Sequence, residues 1–153
     1  MKRIFSLFLL LTLLVGMTAT AQQPVRWRTF IKATGTDEGV VTFRALVSEG
    51  WHLYGLDLPD NGPKPTSFDF ANSKDIKFTG KITPSRKAIE VNDPLFDMTL
   101  SWWDSNIEFT IPFKVTGPTP TLNCVVSFMT CDGTTCRPPA RETISTPIKL
   151  TKK

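Results

Sequence analysis

The stretch IEFTIPFKV, residues 107–115, decides the fold class, because apolar and polar side chains alternate along it. The stretch VTFRALV at residues 41–47 alternates in the same way. A period of two is typical of a strand with one face buried and the other in water. Helical periodicity is hard to find after the N-terminus, and twelve prolines and nine glycines leave little room for long helices. The sequence therefore predicts an all-β protein.

Clusters of turn-forming residues separate further short apolar or alternating stretches. They lie at residues 36–39, 59–63, 104–106, 117–118 and 132–133. Between them we predict strands at residues 25–33, 40–48, 51–54, 67–70, 76–82, 89–91, 99–103, 107–115, 122–129 and 140–150. Many short strands at regular spacing indicate an antiparallel β-sandwich. No repeat or second domain is visible, so one domain is expected over residues 22–153.

The N-terminus has the three-part layout of a secretory signal peptide. Lys2 and Arg3 precede an apolar run at residues 4–15, and the small-residue site Ala19-Thr20-Ala21 follows. The run is shorter than the roughly 20 residues that a membrane-spanning helix needs. We predict a signal peptide over residues 1–21 and export of the remainder.

Charge excludes one class of partner. The formal net charge of +4 falls by two when the signal peptide is removed, and the remaining basic residues are scattered. They do not interleave with aromatic residues as on a nucleic-acid-binding surface. We therefore expect no nucleic-acid partner.

The chain has three cysteines, and an odd count in an exported protein leaves one free or paired with another molecule. On the predicted strand 122–129, Cys124 shares a face with Leu122, Val126 and Phe128. That face is apolar, and a free cysteine packs as a small hydrophobic residue. Cys124 is therefore predicted to be a buried core residue.

Cys131 and Cys136 flank Asp132-Gly133-Thr134-Thr135, a loop able to turn one strand back on the next. Facing residues in such a hairpin have Cα atoms roughly 4.5 to 5.5 Å apart, which suits a disulfide. A ring this small stabilises the fold by only about 2 kcal/mol. An exposed and strained disulfide is more readily exchanged.

The cysteine pair alone leaves several interpretations open. One is a local hairpin disulfide with no chemistry, and another is an exchangeable redox pair. A metal site formed by Cys131, Cys136 and His52 lacks the fourth ligand that a closed zinc site needs. A catalytic Cys–His pair lacks any visible oxyanion-binding group. No metal site is expected.

Three segments, in order, resemble the N-terminal periplasmic domain of the DsbD transmembrane thiol:disulfide reductases. They are GWHLYG at residues 50–55, NDPLF at residues 92–96 with a later strand that ends FTIPF at residues 109–113, and FMTCDGTTCRPP at residues 128–139. The resemblance implies an immunoglobulin-like sandwich. It also implies that Cys131 and Cys136 are the redox pair, beneath a cap loop that would include Pro94, Leu95 and Phe96.

The resemblance implies a partner-dependent protein-disulfide reductase component of the periplasm that needs no cofactor. Electrons would come from a thioredoxin-like domain or protein, fed by a membrane electron transporter on a separate chain. They would pass to exported disulfide-exchange proteins. The alternative is an exported immunoglobulin-like binding or assembly module whose hairpin disulfide is purely structural.

Four residues are predicted to support the pair: His52, Tyr54, Asp93 and Arg137. Asp93 lies in the segment that resembles the cap loop. Arg137 favours a thiolate at Cys136, whereas Asp132 disfavours one at Cys131.

His52 and Tyr54 share one face of their strand. If that face lines the cysteines, His52 could carry protons near neutral pH; otherwise it is a surface histidine beside a tyrosine at the core edge. The sequence departs from the family pattern in its shorter loop between the cysteines, in having His52 where an aromatic hydroxyl is usual, and in the extra Cys124.

Overall fold

The structure, a computed structural model, describes residues 23–150, and within that range it contains strands, turns and loops but no helix. The predicted signal peptide, residues 1–21, lies outside the described residues. No helix in the described range is long and apolar enough to cross a membrane. The strands are β1 Val25–Ala33, β2 Glu38–Val47, β3 His52–Tyr54, β4 Ser67–Asp69, β5 Ile76–Phe78, β6 Thr83–Pro84, β7 Ile89–Asp93, β8 Met98–Trp103, β9 Ile107–Val115, β10 Thr121–Phe128, β11 Thr130–Cys131 and β12 Ala140–Pro147.

All strand pairs are antiparallel, and they form three sheets. The first sheet has the order β1-β2-β9-β5, and β6 also pairs with β9. The second has the order β12-β10-β4, and the third has the order β11-β3-β8-β7. The prediction of an all-β antiparallel sandwich is confirmed.

Two of the predicted strands are interrupted. The predicted strand 76–82 is wrong beyond Phe78, because the pairing with β9 meets Pro112. The carbonyl of Pro112 accepts a hydrogen bond of 3.0 Å from the Thr79 N–H, but proline has no N–H to donate in return. The predicted strand 122–129 ends at Phe128, where the chain leaves the second sheet and joins the third as β11.

The main core lies between the first and second sheets. Because burial alternates with a period of two along the strands, every second side chain of each sheet points into this core. Phe43 on β2 and Phe109 on β9 are directly opposite one another and fully buried. Trp27 on β1 bridges the two sheets, with its ring 5.9 Å from Phe109 and 5.6 Å from Phe128. Each buried aromatic side chain of this kind contributes about 1.5–3 kcal/mol. These contacts hold the two sheets in one packed unit.

The third sheet has two apolar faces, and this arrangement positions the candidate site. The cross-strand pair Leu53 and Trp103 points into the main core. The next pair, Tyr54 and Trp102, points the opposite way, as successive strand residues must. On that second face lies a smaller group, which we call the edge cluster. It consists of Tyr54, Leu100 and Cys131 with the partly buried Leu58, Phe96, Met98, Trp102, Met129 and Cys136.

Candidate functional site

A disulfide joins Cys131 and Cys136 at one end of the edge cluster. Their Cα atoms are 4.1 Å apart, and the two residues pair directly across the hairpin. Cys131 is fully buried, whereas Cys136 is only partly buried. The predicted bridge is confirmed, and its two cysteines differ in exposure to solvent.

The loop between the cysteines is ordered by the side chain of Asp132. Its Oδ1 accepts hydrogen bonds from the backbone N–H groups of Thr134 at 2.9 Å and Thr135 at 2.7 Å, and from the Thr134 hydroxyl. These bonds to the charged form hold the pKa of Asp132 below its usual value. Gly133 has a φ of 90°, which favours glycine. A fixed negative charge therefore lies next to Cys131.

The segment after Cys136 is anchored back to the third sheet. The Arg137 N–H donates a hydrogen bond of 2.9 Å to the carbonyl of Thr130. The guanidinium of Arg137 lies over the ring of Trp51, 5.6 Å from its centroid, at the distance of a cation–π contact. Pro138 and Pro139 follow, both exposed. Cys136 is thus held in a stiff surface segment beside an exposed positive charge.

His52 is the cross-strand neighbour of Cys131, and it is buried. Its ring stacks on Trp102 with the centroids 4.1 Å apart, and its Nε2 has no hydrogen-bond partner among the described residues. Burial lowers the pKa of His52, while the charges of Asp93, Asp132 and Asp104 oppose that shift. The alternative of a surface histidine is therefore wrong.

Tyr54 and Asp93 form a buried hydrogen bond. The Tyr54 hydroxyl donates a hydrogen bond of 2.7 Å to Asp93 Oδ2, and both residues are buried. Burial, together with this bond, raises the pKa of Tyr54. The other carboxylate oxygen of Asp93 accepts bonds from the backbone N–H groups of Leu95 at 2.8 Å and Phe96 at 3.4 Å. Asp93 therefore links the third sheet to the turn that follows β7.

That turn contains the residues predicted to form the cap: Pro94, Leu95 and Phe96. It connects β7 to β8, and the side chain of Leu95 is 44% exposed. The Phe96 ring meets Tyr54 edge-to-face, with centroids 6.1 Å apart, and it belongs to the edge cluster that also holds both cysteines. The structure thus brings the cap segment, Tyr54 and the disulfide into one cluster, and the shielding role remains a prediction.

Sequence reasoning missed two aromatic residues of the site, Trp102 and Trp51. Trp102 stacks on His52, and Trp51 supports Arg137. Successive residues of the predicted strand 99–103 point to opposite faces of the sheet. The alternation could therefore have placed Trp102 on the face opposite to Trp103. Nothing local in the sequence pairs Trp51 with Arg137, because 86 positions of chain separate contacts that only the sheet brings together.

Cys124 lies apart from this site, in the main core. It is free and buried, as predicted. Burial raises the pKa of its thiol to about 12. Residues 23–150 contain no group of three or more His, Cys, Asp or Glu side chains that could hold a metal ion.

Comparisons with known proteins agree with this geometry. The profile of the family described as "Thiol:disulfide interchange protein DsbD, N-terminal" matches residues 20–148. No curated protein gives a significant sequence match.

Two solved structures share the fold. The reduced N-terminal domain of DsbD from Neisseria meningitidis is 15% identical, with a TM-score of 0.52 over 81% of this chain and 86% of that one. The N-terminal periplasmic domain of ScsB from Proteus mirabilis is 17% identical, with a TM-score of 0.57 over 81% of this chain and 46% of that one. The DsbD N-terminal domain has an immunoglobulin-like fold, so the predicted immunoglobulin-like sandwich is confirmed.

Proposed function

The chain belongs to the family of the N-terminal domain of the thiol:disulfide interchange protein DsbD, and from that premise we propose that it carries reducing equivalents in the periplasm through Cys131 and Cys136. The electron donor is a thioredoxin-like protein or domain supplied by a membrane electron transporter, and the acceptors are exported disulfide-exchange proteins. The observation that carries the proposal is the disulfide itself, with one cysteine partly exposed and the other buried.

Electrons enter by two exchange steps. A donor thiolate attacks Cys136 Sγ, so that a mixed disulfide forms while the Cys131–Cys136 bond breaks and Cys131 leaves as a thiolate. The second donor thiolate then attacks the donor's own sulfur in the mixed disulfide, which closes the donor disulfide and releases Cys136. Cys131 and Cys136 each gain a proton, and two electrons have passed. The same steps in reverse reduce an acceptor.

Cys136 is the sulfur that joins partners. It is partly exposed whereas Cys131 is fully buried, and in-line attack needs access to the sulfur. Arg137 next to it stabilises a thiolate, whereas the carboxylate of Asp132 opposes one at Cys131. Cys131 is thus the resolving residue.

When an acceptor is reduced, the Cys131 thiol must lose a proton before it attacks the mixed disulfide, so it needs a proton acceptor. His52 is directly across the strand pair from Cys131, and its lowered pKa keeps the imidazole neutral near pH 7. A neutral imidazole can accept a proton as a thiol ionises. Within residues 23–150, its Nε2 has no hydrogen-bond partner that would compete with this role.

The cap segment, Pro94 to Phe96, limits access to the disulfide. Asp93 fixes its backbone through two hydrogen bonds, and Phe96 packs in the edge cluster with the cysteines. A partner must displace this turn or fit around it. The cap thereby slows exchange with unspecific thiols and disulfides.

Mixed-disulfide trapping tests the assignment. Residues 22–153 carrying Cys131→Ser are mixed with a thioredoxin-like protein that lacks its own resolving cysteine and whose remaining cysteine is held in a mixed disulfide with thionitrobenzoate. The Cys136 thiolate attacks that disulfide and displaces thionitrobenzoate, and the covalent adduct should accumulate because no thiol remains to release it. Cys136→Ser should form none. Cys124→Ala, which keeps both active cysteines, is the matched control and should also form none. Adduct formation by Cys136→Ser instead would reverse the two roles.

The reduction potential distinguishes this function from that of an exported binding module with a structural disulfide. A structural disulfide has a reduction potential below about −300 mV, so it stays oxidised in glutathione buffers. A working pair has a higher reduction potential and becomes partly reduced in them. Titration of the thiols against a defined glutathione poise therefore decides between them. A pair that remains oxidised, together with no adduct for any variant, would contradict the carrier role.

A further inference from the structure

Two open grooves lie beside the segment that follows Cys136, and they share one wall. The first is lined by Gln23 and residues 137–141. The second is lined by Lys64, Pro65 and the end of the second sheet around Ser127, together with Pro139–Arg141. Residues 139–141 separate the grooves, so the two form one continuous surface, which we call the Pro139 surface.

The Pro139 surface carries three positive charges: Lys64, Arg137 and Arg141. All three are exposed, and none forms an ion pair within residues 23–150. No aspartate or glutamate lines either groove. Unpaired charges of one sign at a surface create a field that attracts the opposite charge.

Glu142, Asp69 and Asp132 are near this surface in sequence or in the sheet, and none of them lines either groove. Asp132, in the loop between the cysteines, forms its hydrogen bonds with Thr134 and Thr135 of that same loop. Glu142 follows Arg141 directly, so its side chain points to the opposite side of β12, where burial raises its pKa. Asp69 is two residues beyond Ser67 on β4, and its Oδ1 accepts a hydrogen bond from the Ala71 N–H. The surface therefore remains basic.

The Pro139 surface is within reach of any partner that attacks Cys136. Arg137 is the next residue, and Arg141 is at most about 18 Å further along the chain if the segment is fully extended. A standard protein interface covers about 800 Å² on each partner. A protein bound at Cys136 would thus cover at least part of both grooves.

We propose that the Pro139 surface selects partners that carry carboxylates beside their reactive cysteine. This inference rests on the proposed function and adds to it the chemistry of the partner. The carboxylates lie in the grooves against Lys64, Arg137 and Arg141 while the partner sulfur meets Cys136. The charges raise the rate of encounter, and steering of this kind changes association rates by about 10- to 1,000-fold at low salt.

The test uses two synthetic peptide disulfides as probes. One has two glutamates on each side of its cysteine, and the other has glutamines at the same positions. The reduced protein, residues 22–153, is mixed with each, and the rate at which the probe disulfide is reduced is measured. We expect the glutamate probe to react about tenfold faster at low salt, and most of this preference to vanish at 0.5 M salt, where charges are screened beyond about 4 Å.

Charge-removing variants locate the effect. Arg141→Gln and Lys64→Gln should each reduce the preference by about two- to threefold without changing the rate with the glutamine probe. Arg28→Gln and Lys81→Gln are matched controls, since both residues are exposed and line neither groove. They should leave the preference unchanged. Arg137 is excluded from this comparison because it also acts on Cys136.

Equal rates with the two probes would contradict the proposed docking surface, and so would a preference that is unchanged in Arg141→Gln and Lys64→Gln. Neither result would contradict thiol–disulfide exchange itself. Failure to react with either probe would overturn the proposed function and the inference with it. The glutamine probe separates these outcomes, because its rate reports exchange without the charges.

Discussion

The main core and the edge cluster each contain a buried cysteine, and the two cysteines differ in their surroundings. Cys124 lies between two sheets, in the same buried cluster as Val126 and Phe128. Cys131 is equally buried, but it lies on a two-residue strand at the rim of the third sheet. Its partner Cys136 is partly exposed. Cys131 is thus as buried as Cys124, and what distinguishes it is its place at a sheet edge, in a disulfide with a partly exposed residue.

The two clusters are also built differently. The main core rests on long pairings such as β1 with β2 and β2 with β9. The edge cluster rests on short strands and on the turn that Asp93 organises. Regions with few long pairings open at lower free energy than regions with many. We expect the edge cluster to respond to partners without disturbance of the main core.

The largest expected difference between the clusters is in thiol reactivity. After reduction, alkylation of the folded protein should modify Cys136 readily. Cys124 should react at least about a thousandfold more slowly, because its thiol becomes accessible only on global unfolding. The raised pKa of Cys124, about 12, slows it further. Mass mapping after timed alkylation measures both rates. Comparable rates at the two sites would show that the main core opens as easily as the edge.

A second difference concerns stability. Phe43→Ala should lower the free energy of unfolding by about 3–5 kcal/mol, because Phe43 is fully buried against Phe68 and Phe109. Phe96→Ala, in the edge cluster, should cost less, since Phe96 is only partly buried. Urea denaturation measures both.

Phe96→Ala should also raise the alkylation rate of the reduced pair, because the cap loses its largest apolar side chain. Leu95→Ala is the matched control, because Leu95 is in the same turn but is 44% exposed. A stability loss at Phe96 as large as that at Phe43, with no change in alkylation, would make Phe96 a core residue rather than a cap.

Reduction of the disulfide should have a smaller effect on stability. Opening a ring of this size should lower the free energy of unfolding by about 2 kcal/mol. Denaturation curves with and without reductant measure the difference, and Cys131→Ser with Cys136→Ser in one chain should reproduce the reduced value. A loss that prevents folding would indicate that the disulfide is a structural requirement, contrary to the proposed exchange.

The smallest expected effect is the pH dependence that His52 contributes. Burial keeps its pKa in the folded state below the ordinary 6.5, so the unfolded chain binds the proton at higher pH than the folded chain does. Stability should therefore fall as the pH drops below about 6.5, by at most about 1.4 kcal/mol per pH unit. His52→Phe, which keeps a ring to stack on Trp102, should remove that component. Equal slopes in both proteins between pH 7 and 5.5 would contradict it.

Several features of the site were predictable from residue patterns. Alternation along residues 107–115 and 41–47 predicted the walls of the core, and parity on residues 122–129 assigned Cys124 to it. The turn between Cys131 and Cys136 predicted their bridge. These predictions succeeded because period-two burial and tight turns depend on a few neighbouring residues.

Other features could not be predicted, because they depend on pairings between distant segments. The break after Phe78 follows from Pro112 on another strand, and the burial of His52 follows from its contact with Trp102. The hydrogen bond between Tyr54 and Asp93 joins residues 39 positions apart. Local pattern carries no information about which distant strand will be the neighbour.

The sequence by itself determined the fold class, the core positions and the cysteine bridge, since each is encoded within a dozen residues. Only the tertiary structure decided that Cys136 is partly exposed while Cys131 is buried, and that His52 is buried beside Cys131. It also decided that the basic side chains Lys64, Arg137 and Arg141 share one surface. The physical reason is that access and electrostatic environment are properties of the space around a residue, and that space is filled by segments from all three sheets.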